Sequence, residues 1–320
     1  MLEWTDRHCR NFLRSLSRRA LLYTEMVSTG AILHGDVDHH LAFAPEEHPV
    51  ALQLGGSNAT DLAKAAKIGA QYQYDEINLN CGCPSDRVQN AFFGACLMKE
   101  SGVVADGVKA MRDAVDIPVT VKIRTGVDEL DSYEFMRDFV ASVAERSGCN
   151  TFIVHARKAW LQGLSPKQNR EIPPLDYSRV YRLKQELPQL EIVINGGIKS
   201  LAETSAHLQQ VDGVMMGREV YQNPWVLHGV DSLLFGQSEP SASPAEALHN
   251  FLPYVEQQLS AGVKLHHITR HILGMFQGMP GAKQFRRHLS ENAYQSDAGL
   301  HVIIEAMAKI REPKEALHVE

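Results

Sequence analysis

Three of the chain's five cysteines lie within one short stretch, INLNCGCPSDRVQNAFFGACLM at residues 77–98. Cys81 and Cys83 form a single C-x-C pair with no histidine nearby, whereas structural zinc sites favour paired C-x2–4-C units, so no metal is expected. A redox pair is also disfavoured, because a disulfide at this spacing on a strand end would be strained. The remaining interpretation is one working acid, Cys83, which precedes Pro84, with Cys81 and Cys96 as packing residues.

Polar residues stand at the ends of the short apolar runs that we interpret as strands. The chemistry of a parallel barrel is placed at such ends, and a buried strand has little use for Lys or His unless that residue is paired. Each residue alone could be a satisfied core group, but five converging strand ends favour a functional site. The residues are Gln53, Asn78, Asn80, Cys83, Lys122, Arg124, His155, Arg157, Asn195 and Arg218.

Two glycine motifs close the last two predicted strands, NGGI at 195–198 and MGRE at 216–219. Glycines in these loops of a barrel let backbone N–H groups approach an anion, and Arg218 adds charge-assisted hydrogen bonds. The alternative is two ordinary glycine turns, but the pair at this spacing predicts a phosphorylated cofactor. Lys122 could stabilise the pyrimidine edge of a reduced flavin or pair with a neighbouring strand, and the Gln53 amide suits a flavin ring edge.

Short β-branched runs alternate with helical patterns along the first two thirds of the chain. Strands are predicted at 24–27, 50–56, 76–82, 119–126, 151–156, 191–197 and 211–217, and helices between them at 58–69, 102–115, 131–147, 177–187 and 200–208. Such alternation implies parallel pairing through crossovers. Seven units predict an α/β fold, a TIM (β/α)8 barrel with its first strand truncated.

The chain opens on a helical pattern rather than on a strand. Asp6 can cap a helix that runs through Phe12 and Leu16. Only Met1 and Leu2 then remain for the strand that would complete the barrel. A very short first strand, or a chain that starts late, is therefore expected.

The character of the sequence changes after residue 217. The segment 235–247 is rich in Ser and Pro and predicts a linker. Helical patterns follow near 244–260, 264–276, 281–294 and 298–311. We therefore predict a barrel domain at 1–236 and a small all-helical domain at 243–320.

The composition limits the compartment and the partners. With 44% hydrophobic and 22% charged residues the chain is typical of a soluble globular protein, and no apolar run is long enough for a transmembrane helix. The N-terminus lacks the apolar middle of a signal peptide, and few cysteines favour a reducing, cytoplasmic setting. A net charge of -6 gives no global signal for DNA, although a local basic patch would suffice for RNA.

Segments spread through almost the whole barrel match a known pattern. They are WTDRHCR (4–10), TEMV (24–27), HPVALQLGG (48–56), YDEINLNCGCPSDRVQ (74–89), VKIRTG (121–126), HARKAWLQGLSPKQNREIPPLDY (155–177), NGGI (195–198) and VDGVMMGR (211–218). With these segments the chain resembles the tRNA-dihydrouridine synthases, most closely their bacterial A subfamily. The segment 155–177 is specific to the subfamily, whereas NGG and GR recur in many FMN barrels.

The resemblance implies an FMN-bound barrel that reduces uridines 20 and 20a in the tRNA D-loop. NADPH would reduce the FMN, hydride would pass from flavin N5 to C6 of the uracil, and Cys83 of the GCP motif would protonate C5. A thiol suits this role because it is mostly protonated at neutral pH unless its pKa is depressed. Asn80 matches a residue that approaches the substrate base. The implied FMN contacts are Met1, Gln53, Lys122, His155, Asn195, Gly196, Gly197, Gly217 and Arg218.

Basic residues cluster in two regions that could face tRNA. They are Lys167, Arg170, Arg182 and Lys184 beyond residue 156, and His266, His267, Arg270, Lys283, Arg286, Arg287 and His288 in the helical domain. The default interpretation of such a cluster is a solvated face. The resemblance favours Lys167, Arg170, Lys283 and Arg286 as phosphate contacts, with no DNA or membrane partner, and a monomer is expected.

One departure from the family pattern leaves two alternatives open. Members carry a strand ending in Ala-Pro before the position of Met1, and its backbone contacts the flavin, whereas this chain keeps only Met1 and Leu2 there. Weakened flavin binding and barrel closure are the expected consequences. The alternatives are an FMN oxidoreductase of a free pyrimidine, similar to dihydroorotate dehydrogenases, and a flavin-free protein that binds tRNA without catalysis.

Overall fold

The computed structural model describes residues 1–311, and for Arg87 it describes the backbone alone. The last part of the predicted helical domain, residues 312–320, lies outside the described residues. Within residues 1–311 no helix combines the length and the apolar character that crossing a bilayer requires.

In this part of the chain the strands form one seven-stranded parallel sheet in chain order from β1 to β7. They are β1 Leu22–Ser28, β2 Val50–Gly55, β3 Glu76–Asn80, β4 Val119–Arg124, β5 Thr151–His155, β6 Glu191–Asn195 and β7 Gly213–Met215. Every residue of β2 and β3 is buried, as expected for parallel strands covered on both faces. The predicted seven strand–helix units and the TIM-barrel class of fold are confirmed, with β1 and β7 as the outer strands.

One helix precedes β1, and the others lie between the strands and in the C-terminal region. They are α1 Arg7–Arg14, α2 Thr29–His34, α3 Val37–Leu41, α4 Ala59–Gln71, α5 Asp86–Asn90, α6 Ser101–Ala114, α7 Tyr133–Ser147, α8 Tyr177–Glu186, α9 Leu201–His207, α10 Arg218–Gln222, α11 Val230–Phe235, α12 Pro244–Ser260, α13 Leu265–Thr269, α14 Ala282–Asn292 and α15 Leu300–Met307. Side chains that cap the N-terminus define where several of these helices begin. Asn58 accepts the N–H of Asp61 at 3.0 Å, and Ser132 accepts that of Phe135 at 3.0 Å.

The described residues divide into two compact units. The first comprises Met1–Glu3 and Leu21–Gly217, and the second comprises Trp4–Ala20 and the chain from Arg218 onward. This division groups residues 4–20 and 218–236 with the helical region, whereas the sequence pattern predicts that both segments belong to the barrel domain. The assignment of cofactor binding to one domain and of tRNA binding to the other stays a prediction.

Long-range polar contacts hold α1 within the second unit. Asp6 caps α1 by accepting the N–H of Cys9 at 2.9 Å, as predicted, and it also lies 3.0 Å from His271 Nε2. The Ser17 hydroxyl donates to Asp231 Oδ1 at 2.5 Å. Burial acts to raise the pKa of Asp6, but the hydrogen bond and charge of His271, together with hydrogen bonds from Cys9 and Arg270, hold the pKa well below its usual range.

Candidate active site

The carboxyl ends of the central strands lie side by side at one edge of the sheet. The parallel register pairs Asn80 on β3 with Lys122 on β4. It pairs His155 on β5 both with Arg124 on β4 and with Asn195 on β6. Residues that stand far apart in the sequence are therefore neighbours at the end of a barrel where catalytic groups are placed.

Asn80 holds the loop that carries Cys83. Its Oδ1 accepts the backbone N–H of Gly82 at 3.0 Å and that of Cys83 at 2.9 Å. Its Nδ2 donates to Gln53 Oε1 at 2.8 Å, and Gln53 Nε2 donates to Asn78 Oδ1 at 2.9 Å. We call the side chains of Asn80, Gln53 and Asn78 the amide relay. Each is at most 8% exposed, so their hydrogen bonds are made with protein partners rather than with bulk water.

The amide relay continues onto a buried carboxyl group. Asn78 Nδ2 donates to Thr120 Oγ1 at 2.8 Å, and the Thr120 hydroxyl donates to Glu76 Oε1 at 2.7 Å. The Tyr23 hydroxyl donates to the same oxygen at 2.6 Å. Burial raises the pKa of Glu76, against the opposing effect of the hydrogen bonds from Tyr23 and Thr120. An unbroken line of hydrogen bonds therefore joins β1, β2, β3 and β4.

The main chain of Cys83 is also held from its carbonyl side. Its carbonyl oxygen accepts the N–H of Ala95 at 2.8 Å, in the 3-10 helix Gly94–Lys99. Gly94 has a φ of +79°, and a Cβ there would stand 2.5 Å from the Cys83 carbonyl oxygen and 2.5 Å from Val88 Cγ1. Both main-chain polar groups of Cys83 are therefore fixed, while its side chain remains partly exposed.

Lys122 reaches across the sheet from β4 towards β6. Its Nζ donates to Asn195 Oδ1 at 3.1 Å, and Asn195 Nδ2 donates to the carbonyl oxygen of Met215 at 2.7 Å. Burial lowers the pKa of Lys122 to about 7; the charge of Arg124 adds to the lowering, and Cys83 acts to raise the pKa. A bound anionic group would therefore favour the protonated, charged form of Lys122.

A Lys122→Met variant of the flavin-free protein is expected to be more stable than the parent at pH 6, by roughly 1–3 kcal/mol. An unfolded lysine titrates near pH 10.4, so between about pH 7 and pH 10 the unfolded chain binds more protons at this residue and parental stability rises with pH. The variant lacks this dependence. Urea unfolding at pH 6 and pH 9 measures the difference, which should shrink at pH 9; a difference independent of pH would contradict the assignment.

Arg124 is buried beside Lys122 and donates to main-chain oxygens. Its Nε lies 3.1 Å from the Gly82 carbonyl oxygen, and its Nη1 lies 3.0 Å from that of Asn169. Burial lowers the pKa of Arg124 to about 9, so its guanidinium remains charged at neutral pH. The end of β4 therefore presents two basic side chains next to the Cys83 loop.

The other two thiols of the stretch have different surroundings. Cys81 is fully buried, and burial raises the pKa of its thiol well above the usual range. Cys96 Sγ donates to the carbonyl oxygen of Phe93 at 3.2 Å, and burial raises its pKa as well. Within the described part of the chain, no group of three or more His, Cys, Asp and Glu residues could hold a metal ion.

The glycines after β6 form a cradle that fits a phosphate group. Gly196 and Gly197 have φ values of +116° and +74°. A Cβ on Gly196 would stand 2.6 Å from His155 Cδ2, and one on Gly197 would stand 2.6 Å from Leu175 Cδ1. Only glycine permits this backbone, whose N–H groups can approach an anion closely. Around Gly217 the nearest atom to an added Cβ is the Met1 sulfur at 4.0 Å, which leaves room beside the cradle.

The sequence pattern of the family described as dihydrouridine synthase matches residues 1–311. The chain belongs to the dihydrouridine synthase family. Dihydrouridine synthases are flavin-dependent oxidoreductases that reduce uridine to dihydrouridine in tRNA. The glycine cradle and the basic end of β4 fit the phosphate and ring edge of such a flavin.

Similar dihydrouridine synthases are known from several bacteria. A relative from Yersinia pestis is 62% identical over 310 residues, which cover 97% of this chain and 90% of the relative. One from Vibrio cholerae is 61% identical, covering 97% and 94%. One from Escherichia coli K12 is 60% identical over 314 residues, covering 98% and 91%. All three are named tRNA-dihydrouridine(20/20a) synthase.

A long loop follows β5 in this dihydrouridine synthase, at residues 156–176, and a buried asparagine closes it. Asn169 Oδ1 accepts the N–H of Trp160 at 2.7 Å. Its Nδ2 donates to the carbonyl oxygens of Trp160 at 2.9 Å and Leu164 at 3.1 Å. One amide thus fixes the part of the loop that precedes the predicted tRNA contacts Lys167 and Arg170.

Gln89 connects the long loop to the loop that carries Cys83. Its Nε2 donates to the carbonyl oxygens of Pro84 at 2.8 Å and Leu161 at 2.7 Å. The sequence does not predict Gln89 or Asn169 as a site residue, although both lie within segments that match the family pattern. Their partners are main-chain carbonyl and N–H groups, which no pattern of residue types specifies.

The four predicted phosphate contacts divide between the two units. Lys167 and Arg170 lie in the long loop of the first unit, and Lys283 and Arg286 lie exposed on α14 of the second. Among residues 1–311 the side chains of Lys167, Lys283 and Arg286 form no ion pair or hydrogen bond. Arg218, the predicted flavin contact after Gly217, begins the later of the two segments that make up the second unit.

Proposed function

We propose that the chain reduces the C5–C6 double bond of uridines 20 and 20a in the tRNA D-loop, with FMN as cofactor and NADPH as electron donor. The observation that carries the proposal is the fixed main chain of Cys83 beside Lys122 and Arg124. The names of the relatives state the same two tRNA positions.

The residues that would hold FMN stand at successive strand ends. Gly196, Gly197 and Gly217 offer backbone N–H groups to its phosphate, and Arg218, next in the chain, adds a charge. Lys122 and Gln53 meet the ring edge, since an ammonium and an amide match its carbonyl and N–H groups. The remaining proposed contacts are Met1, His155 and Asn195.

Cys83 supplies the proton of the reaction. When bound, the flavin supplies the hydride that adds to C6 of the uracil. The S–H bond of Cys83 breaks as its proton passes to C5, and the electron pair stays on sulfur as a thiolate. Lys122 and Arg124 stabilise this negative charge, because both are basic groups held next to the Cys83 loop. The partly exposed side chain then regains a proton from water.

The target uridine must leave its stack to reach the end of the sheet. Asn80 can meet it there, because only one of its two Nδ2 hydrogens is donated to Gln53. Lys167 and Arg170 in the first unit, and Lys283 and Arg286 in the second, would contact tRNA phosphates. We expect a monomer that works in the cytoplasm.

Replacing Arg286 by alanine is expected to weaken tRNA binding and to lower the slope of log affinity against log salt by about one phosphate contact. Arg286 is exposed on α14 and has no side-chain partner among residues 1–311, so its charge is available to a ligand. Arg287 is the matched control, because it already pairs with Glu291 at 2.7 Å. Filter binding of tRNA over a salt series measures both variants; equal losses in Arg286→Ala and Arg287→Ala would contradict the assignment.

The proposed function is tested with the purified full chain, NADPH and an unmodified tRNA transcript. The protein should show a flavin absorption spectrum and form dihydrouridine at positions 20 and 20a. A transcript with cytidine at both positions is the control, and it should yield none. Turnover of a free pyrimidine without tRNA, or a colourless protein that binds tRNA without turnover, would overturn the proposal.

A further inference from the structure

The hydrogen bonds between the Cys83 loop and Glu76 all run in one direction. The backbone N–H groups of Gly82 and Cys83 can only donate, so the atom that meets them must be the Asn80 oxygen. The Asn80 amino group then faces Gln53 and requires the Gln53 oxygen. The upper end of the amide relay therefore fixes the orientation of each amide in turn.

The lower end of the amide relay requires the same orientation. Glu76 Oε1 accepts hydrogen bonds from the hydroxyl groups of Thr120 and Tyr23. A threonine hydroxyl carries one hydrogen. Because Thr120 donates that hydrogen to Glu76, its Oγ1 can only accept any further hydrogen bond. It accepts from Asn78 Nδ2 at 2.8 Å, which turns the Asn78 oxygen towards Gln53 Nε2.

Burial leaves the amide relay a single stable direction. Asn78 is 0% exposed, Thr120 is 2% exposed and Glu76 is 9% exposed, so water does not replace a lost partner. A reversed amide would set two amino groups or two oxygens against each other, and a buried polar group without a partner is costly. Bonds aligned head to tail also polarise and strengthen one another.

We propose that Thr120 and Glu76 are positioning residues that hold Cys83 in place through the amide relay. Neither residue touches the thiol. They fix the orientation of the amide groups in the relay. At the other end of the relay, Asn80 Oδ1 accepts the backbone N–H groups of Gly82 and Cys83 and so holds the main chain of Cys83. The expected change in turnover rests on the proposed function, whereas the position of the thiol can be measured without it.

The test compares Thr120→Val with Thr120→Ser in the full-length, flavin-bound protein. Valine has the shape of threonine but no hydroxyl, so the Asn78 amino group loses its acceptor and the relay loses its anchor at the Glu76 end. Serine keeps the hydroxyl and loses one methyl group. If Thr120→Val does not fold, Thr120→Ala takes its place, because it also lacks the hydroxyl and adds no bulk against Asn78.

Two measurements are made on each variant. The first is kcat and KM for unmodified tRNA, normalised to bound flavin; the second is the rate at which iodoacetamide alkylates Cys83, followed by mass spectrometry. In Thr120→Val, kcat should fall about tenfold or more, since misplacement of a reacting group by about 1 Å can cost 10²-fold. KM should stay within about twofold, and Cys83 should be alkylated faster because its loop is released. Thr120→Ser should match the parent in both.

The proposal is overturned if, in Thr120→Val, the rate of Cys83 alkylation and the kcat for tRNA both equal those of the parent. It is also overturned if Thr120→Ser loses as much as Thr120→Val, because the effect would then follow side-chain volume rather than the hydroxyl. If the parent forms no dihydrouridine, the proposed function fails, and the alkylation rates still decide whether Thr120 positions Cys83.

Discussion

A Cys83→Ala variant is expected to lose about 10²- to 10⁴-fold in the rate of dihydrouridine formation, the usual contribution of a positioned proton donor. The variant should still bind tRNA and should still accept electrons from NADPH, because its main-chain contacts to Asn80 and Ala95 do not involve the thiol. Single-turnover formation of dihydrouridine by the reduced enzyme measures the loss directly.

Cys96→Ala is the matched control for this prediction. Cys96 is also partly exposed and lies close in the sequence, but its sulfur donates to the carbonyl oxygen of Phe93 rather than standing beside the basic end of β4. It should retain activity within about threefold, as a surface substitution away from the chemistry usually does. Equal activity of the Cys83 and Cys96 variants would show that Cys83 is not the acid.

Gly94→Ala is expected to reduce turnover at least tenfold and to lower the free energy of unfolding by roughly 2–5 kcal/mol. The loss has two sources: a left-handed backbone costs alanine about 1–2 kcal/mol, and overpacking adds about 1–3 kcal/mol. The clashing atom is the main-chain oxygen of Cys83, 2.5 Å from the added Cβ, so relief requires the Cys83 loop to move. Urea unfolding and turnover of tRNA measure the two effects.

Gly163→Ala separates the two sources. Gly163 has the same φ of +79°, but nothing lies within 4 Å of the position of an added Cβ. This variant should therefore lose only the conformational part, about 1–2 kcal/mol, and keep its turnover. Similar turnover in the two variants would mean that contact between Gly94 and Cys83 does not control the site.

The strands are predictable because buried parallel strands are continuous apolar runs. VALQLGG predicts a strand at 50–56, and β2 spans Val50–Gly55. The polar residues within and after these runs, such as Lys122 and Asn195, are likewise visible in the sequence. That Lys122 Nζ bonds to Asn195 depends on a register across β4, β5 and β6, which only the folded sheet determines.

Short helices and main-chain contacts are the parts that the sequence does not reveal. α2 and α3 have six and five residues, too few for two turns of a helical hydrophobic pattern, and caps by Ser28 and Asp36 define them instead. The place of residues 4–20 in the second unit depends on contacts such as that of Ser17 with Asp231, which lie 214 residues apart. Local propensity carries no information about such pairs.

The amide relay also makes several positions thermodynamically coupled. A substitution that breaks one bond of the line removes much of what a second substitution could remove, so Thr120→Val and Gln53→Leu together should cost less than the sum of each alone. Such positions cannot vary one at a time without a penalty. Five side chains form this line of hydrogen bonds: Glu76, Thr120, Asn78, Gln53 and Asn80. In related proteins they are therefore best compared as one unit with a few allowed combinations of residues, rather than as five independent sites.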